Sequence, residues 1–195
     1  LAEVGRFFLY LGIPYLALGG WPRGPFEGLL SLDDVGLVGF SGRWPITRWL
    51  ESAGTGLGMG LVALLILALA LAAARRNGAG LHFQRRPWWL YLIDAIYLEV
   101  HWAFYRGALS VLFQEKYAAV FAGLGLVYLE WSLDPFWRHG WRLETRATRQ
   151  WLRAALALVS SLVFLFTRSL WICLGVHLLV GLALSQLGQS DSVEF

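Results

Sequence analysis

The chain has 195 residues, 57% of them hydrophobic and 15% charged, with a mean hydropathy of +0.56 and a formal net charge of +3. So little polar surface cannot coat a soluble globule of this size, and so small a charge does not argue for nucleic acid; the solvent this composition suits is lipid. Five or six helices of about 20 residues use most of the chain, which makes residues 1–195 a single transmembrane domain with no room for a second, soluble one.

The first apolar stretch, Val4 to Gly20, is FFLYLGIPYLAL around Pro14 and is just long enough to cross, helped by its aromatic ends. Nothing in it reads as a cleavable signal. From Trp21 to Ala53 the chain is rich in Gly, Pro and Trp and reads as a long loop ending in a short amphipathic segment, WPITRWLESA, at the membrane interface. The second span, Gly54 to Ala74, is uncharged and stops at Arg75 and Arg76, and its glycines 54, 56, 58 and 60 favour close helix packing. The third span, Pro87 to Phe113, opens on Trp88 and Trp89 as an interfacial anchor but contains Asp94, Glu99, His101 and Arg106. A fourth runs from Tyr117 to Leu133 and is followed by an arginine-rich loop, DPFWRHGWRLETRATRQWLR. Two last spans, Ala154 to Phe166 and Leu170 to Leu187, are separated by Thr167, Arg168 and Ser169, and a polar tail, 188–195, closes the chain. The expected fold is therefore all-α, a polytopic bundle of about six spans.

Charge in the loops orients it. Arg75, Arg76, Arg85 and Arg86 follow span two, and Arg138, Arg142, Arg146, Arg149 and Arg153 follow span four, so both basic loops share one side. The positive-inside rule makes that side cytoplasmic and, with six spans, places both termini there. A five-span variant moves only the N-terminus. Cys173 lies alone in an apolar run, which rules out an intrachain disulfide and suits packing.

Ionisable groups at a helix centre cost about 2.5–3.5 kcal/mol each, so span three needs a compensating arrangement. Glu99 and Arg106 are seven residues apart and fall within about 20° on the helix, and Asp94 and His101, also seven apart, share another face. Two readings of Glu99 with Arg106 stand side by side: a buried charge network that fixes packing, and a functional site. Asp94, nearer the helix start, is expected to be solvated, as are His82 and His139 in their basic loops. His177, alone in the last span, reads as a hydrogen-bonded packing residue or a ligand, and so does His101.

Three pieces of the chain, in order, are DDVGL at 33–37, HWAFYRGAL at 101–109 and TRSLWICLGVHLLVG at 167–181. Together they resemble the CPBP family of intramembrane proteases, also called the CAAX protease and bacteriocin-processing or Abi family, over roughly residues 33–187. That family shows EExxxR followed by glycine on one helix, FxxxH on the next, and a last helix opening near T-G-S-L-W that carries HxxxN. Thr167, Ser169, Leu170, Trp171 and His177 fall on the last pattern, and Arg106 with Gly107 on the first.

The resemblance implies a helical bundle with a cavity where glutamates and histidines activate water for peptide hydrolysis, with or without a metal. The departures fall on that chemistry. The family glutamates align with His101 and Trp102, the FxxxH histidine with Gly125 and the asparagine with Gly181, so only Arg106 and His177 survive. Glu99, about 4.5 Å further along the axis, is a displaced substitute, and catalytic zinc usually needs three protein ligands.

The expected site is thus a vestigial or variant set of Glu99, His101, Arg106 and His177 without a metal, zinc or another metal entering only if the site is active. A degenerate member suits an accessory or scaffold role beside other integral membrane subunits, in what is expected to be a bacterial inner membrane. The competing expectation is an endopeptidase using Glu99, His101 and His177. Ligation of haem or a chlorophyll-type centre by His101 or His177 is a third, which nothing in the spacing selects.

Overall fold

The computed structural model describes residues 5, 8–12, 44–78, 87–113, 115–140 and 144–187, and among them every regular element is helical. A π-helical turn at Phe8–Gly12 is followed by α1 (Ile46–Arg76), α2 (Trp88–Leu112), α3 (Lys116–Leu133), α4 (Pro135–Gly140), α5 (Glu144–Thr167) and α6 (Leu170–Leu187). Three helices are long and apolar enough to cross a membrane: Ile46–Arg76, Ala147–Thr167 and Leu170–Leu187. That is consistent with an integral membrane protein. Most of the expected first span, the DDVGL segment, His82 and the tail 188–195 lie outside the described residues.

Two boundaries differ from the reading of the sequence. Residues 46–53 are not a separate interfacial piece but the first two turns of α1, a helix of 31 residues that starts right after Pro45. Proline fixes φ near −65° and lacks an N–H, so it suits the position just before a helix, and ITRWLESA contains nothing that stops one. The arginine-rich segment after α3 is also largely helical, as α4 and the start of α5. It looked like a loop because it lacks an apolar run, yet arginine is a good helix former.

Charged and polar groups are buried within the apolar core of the bundle, while large apolar side chains cover its outside. On α1 the row Leu57, Leu61, Leu65 and Leu69, four residues apart on one face, is exposed, whereas Glu99, Arg106, Ser160, Ser161 and His177 are buried. A surface of that kind needs an apolar solvent. Of the four α1 glycines, Gly56 and Gly60 are buried against α6: a Cβ at 60 would stand 3.1 Å from Val176, and one at 56 would overlap Ile172. Gly54 and Gly58, on the opposite face, have nothing within 4 Å.

The same contacts fix direction. Gly56 and Gly60 meet α6 in rising order, and Arg75 Nη2 donates to the Leu187 carbonyl at 3.1 Å, so α1 and α6 run parallel. Since α5 and α6 form a hairpin, the start of α5 lies at the end of α1. Arg75 and Arg76 therefore share one end of the bundle with Arg149 and Arg153.

The α5–α6 corner takes two residues. Thr167 Oγ1 donates to the Val163 carbonyl at 2.9 Å, and the Ile172 N–H donates to Ser169 Oγ at 3.4 Å, which caps α6. Between them Arg168 has φ 51°, in the left-handed region that costs a residue with a Cβ about 1–2 kcal/mol. Arg168→Gly is expected to stabilise the protein by about 1 kcal/mol, read as a higher denaturant midpoint in micelles, whereas Arg168→Val should lower it.

Candidate functional site

α2 carries the charges, and three other helices answer them. Glu99 (1% exposed) faces α5 and α6. Ser160 Oγ donates to Glu99 Oε2 at 2.6 Å and His177 Nδ1 lies 2.9 Å from Glu99 Oε1. Arg106, 2% exposed, brings Nη2 to 3.7 Å from Glu99 Oε2 and donates through Nη1 to Ser160 Oγ at 3.5 Å. With the carboxylate ionised beside Arg106, the donor in this contact is the imidazole Nδ1–H. One carboxylate thus gathers a hydroxyl, an imidazole and a guanidinium inside the bundle.

The guanidinium is boxed in by more than charge. Its carbon lies 4.5 Å from the centre of the Phe164 ring, and on the other side Gly123 of α3 lets the helix backbone come close. A Cβ at Gly123 would stand 3.1 Å from Arg106 Cγ and from its backbone N. His177 is covered too: the Trp102 indole stacks on it at 5.5 Å and 20°, and Trp131 meets Trp102 edge-on at 6.1 Å. Cys173, wholly buried, points its Sγ at the Ser160 carbonyl, 3.5 Å away, and belongs to the packing.

His101 is not part of this group. It turns to α3, where its Nε2 lies 2.8 Å from Glu130 Oε2, and Tyr105 donates to the same oxygen at 3.1 Å. The Tyr10 ring from the N-terminal turn covers it at 4.3 Å, and the buried Nδ1 has no hydrogen-bond partner among the described residues. Asp94 is not simply solvated: Arg149 and Arg153 of α5 reach it at 3.1 and 3.6 Å. Its Cα shares a face with that of His101, but the long arginine stems reach across to it, so the two side chains serve different neighbours. His139 is exposed, as expected.

Of the expected set, then, Glu99, Arg106 and His177 converge and His101 stands in a second cluster. The sequence reading missed Ser160 and Glu130. Glu130 is the one charged residue between Tyr117 and Leu133, a signal as plain as Glu99 on α2. Ser160 gave none, since serine is common where membrane helices pack.

Chemically, a carboxylate that holds one imidazole nitrogen orients the ring and leaves Nε2 as its working atom. Ser160 is no triad nucleophile here, because its proton goes to the carboxylate rather than to the histidine. The donor set does not fit zinc: Glu99 and His177 supply two ligands where three are needed, and both Glu99 oxygens are engaged. Among the described residues no group of three or more His, Cys, Asp or Glu is placed to hold a metal ion.

Compared with known proteins, the chain matches no family model, no curated protein and no solved structure.

Proposed function

We propose that the protein is a six-span, CPBP-like membrane protein in which the protease site has become a packing centre, and that it serves as an accessory or scaffold subunit of a larger membrane complex. The observation that carries this reading is the burial of Glu99 among protein partners. Both its oxygens accept from protein groups, Arg106 stands beside it, and it is 1% exposed. A general base needs a lone pair within reach of its substrate's proton. Trp102, which aligns with the family's second glutamate, lies stacked against His177 and brings no carboxylate to it.

Two features support the resemblance. Arg106 and His177, the residues that keep the family's positions, meet at one carboxylate. Arg168 stands where the family pattern has glycine, and its backbone takes the left-handed conformation that glycine adopts freely. In this reading α2 and α3 also cross the membrane, α2 with its charges turned inward. The arginine-bearing end faces the cytoplasm of a bacterial inner membrane, and both termini lie there.

One observation favours the second reading, an endopeptidase with a variant site: the Glu99–His177 contact, which holds an imidazole as catalytic histidines are held. One experiment separates the two. The protein is isolated from its native membrane without overexpression. The scaffold reading expects it to co-migrate in fixed ratio with other subunits and to cleave no peptide. If it runs alone and cleaves peptides, with activity lost in Glu99→Gln and His177→Ala, that reading fails.

A further inference from the structure

We propose that the Arg149–Arg153 pair at the mouth of the α2–α5 seam is a binding site for the phosphate of an anionic glycerophospholipid. This rests on depth, charge and exposure, and not on the role proposed for the Glu99 centre.

Depth comes first. The apolar run of α5 begins at Ala154, so Arg153 stands right at its start and Arg149 one turn before it, at the edge of the hydrocarbon. Exposed tryptophans mark the same level: Trp151 on α5 is 66% exposed, and Trp88 and Trp89 open the neighbouring α2. Indole rings collect at the headgroup layer, which is where lipid phosphates lie.

Charge follows. Arg149 Nη2 and Arg153 Nη2 converge on a single carboxylate oxygen, Asp94 Oδ2, at 3.1 and 3.6 Å. Between Asp134 and Arg153 the chain has five arginines against two carboxylates, and Asp94 makes a third. That stretch together with Asp94 carries two more arginines than carboxylates. The Arg149 and Arg153 side chains remain 41% and 26% exposed. Guanidinium forks suit two oxygens of one phosphate, and this exposed pair already converges on one anionic oxygen.

The source of the phosphate is lipid rather than solution, because the pair stands at the start of a membrane-spanning helix. Such juxtamembrane arginines each add appreciably to the affinity for an anionic leaflet. Asp94 is then the competitor of the lipid for the same two guanidiniums.

The test uses the full chain purified in a neutral detergent, with unfolding temperature and native mass spectrometry as readouts. Phosphatidylglycerol is expected to raise the unfolding temperature and to be retained on the protein. Phosphatidylcholine and inorganic phosphate are expected to do neither. In Arg149→Gln with Arg153→Gln, phosphatidylglycerol affinity should fall about tenfold or more. Asp94→Asn, which keeps both guanidiniums and removes their competitor, should bind it more tightly, and this holds the idea testable if the double variant fails to fold. Equal stabilisation by phosphatidylcholine or by inorganic phosphate, or unchanged or weaker phosphatidylglycerol binding in Asp94→Asn, overturns the proposal.

Discussion

Glu99→Ala is expected to destabilise the bundle by about 3–5 kcal/mol, the cost of leaving a buried charge without its counterion. Arg106 is 2% exposed and cannot turn to water, and Ser160 and His177 lose their acceptor in the same step. Reversible unfolding in mixed micelles reads the loss. Glu99→Gln keeps the shape and an acceptor oxygen, so it should cost less, while Glu99→Leu combined with Arg106→Met should recover much of the stability because the charge and its partner leave together. A double variant as unstable as the sum of the single ones would show that these two groups do not act as a unit. The outcome bears on function as well. A packing centre tolerates replacement by apolar groups; a working site does not.

Gly123→Val is expected to separate α2 from α3. The new Cβ would meet not a flexible tip but Arg106 Cγ and backbone N at 3.1 Å and Cα at 3.2 Å, so a helix has to move. Overpacking of this kind costs about 1–3 kcal/mol with alanine and more with a branched side chain. The same shift draws Arg106 away from Phe164 and Glu99 and disturbs the Trp102–His177 stack, so near-ultraviolet circular dichroism should change along with stability. Gly58→Val, on the open face of α1, is the control: with nothing within 4 Å, it should leave both signals close to wild type.

α1 and α6 announce themselves as apolar runs, and α2 as an apolar run with charges that demand partners. The seven-residue spacing of Glu99 and Arg106 was enough to place them on one face, and the structure brings them to 3.7 Å. His177 was legible as a polar residue on an apolar helix, but its partner was not, because helical periodicity says which face a residue occupies and nothing about which helix that face meets. For that reason His101 was grouped with Glu99. The two lie two residues apart, 200° around the helix, and look at different neighbours. Asp94 departs from the solvated expectation for a related reason, since the reach of two arginines on a distant segment overrides its position near a helix end. The first two turns of α1 and the helical start of α5 were hidden because they are polar enough to read as interface or loop.

In the six-span arrangement proposed above, the inward charges of α2 also set a problem of timing. A ribosome delivers α2 to the membrane before α3, which carries Glu130, and well before α5 and α6, which carry Ser160 and His177. At that moment Asp94, Glu99 and Arg106 have no partner from the helices still to come, and a helix with three charges enters lipid poorly by itself. Its insertion has to wait, held at the translocation machinery or paired with α3, until the last hairpin arrives. A chain ended after Thr167 would lack His177 while keeping Ser160, and α2 in that product should remain accessible to water-borne labelling reagents that the full-length protein excludes.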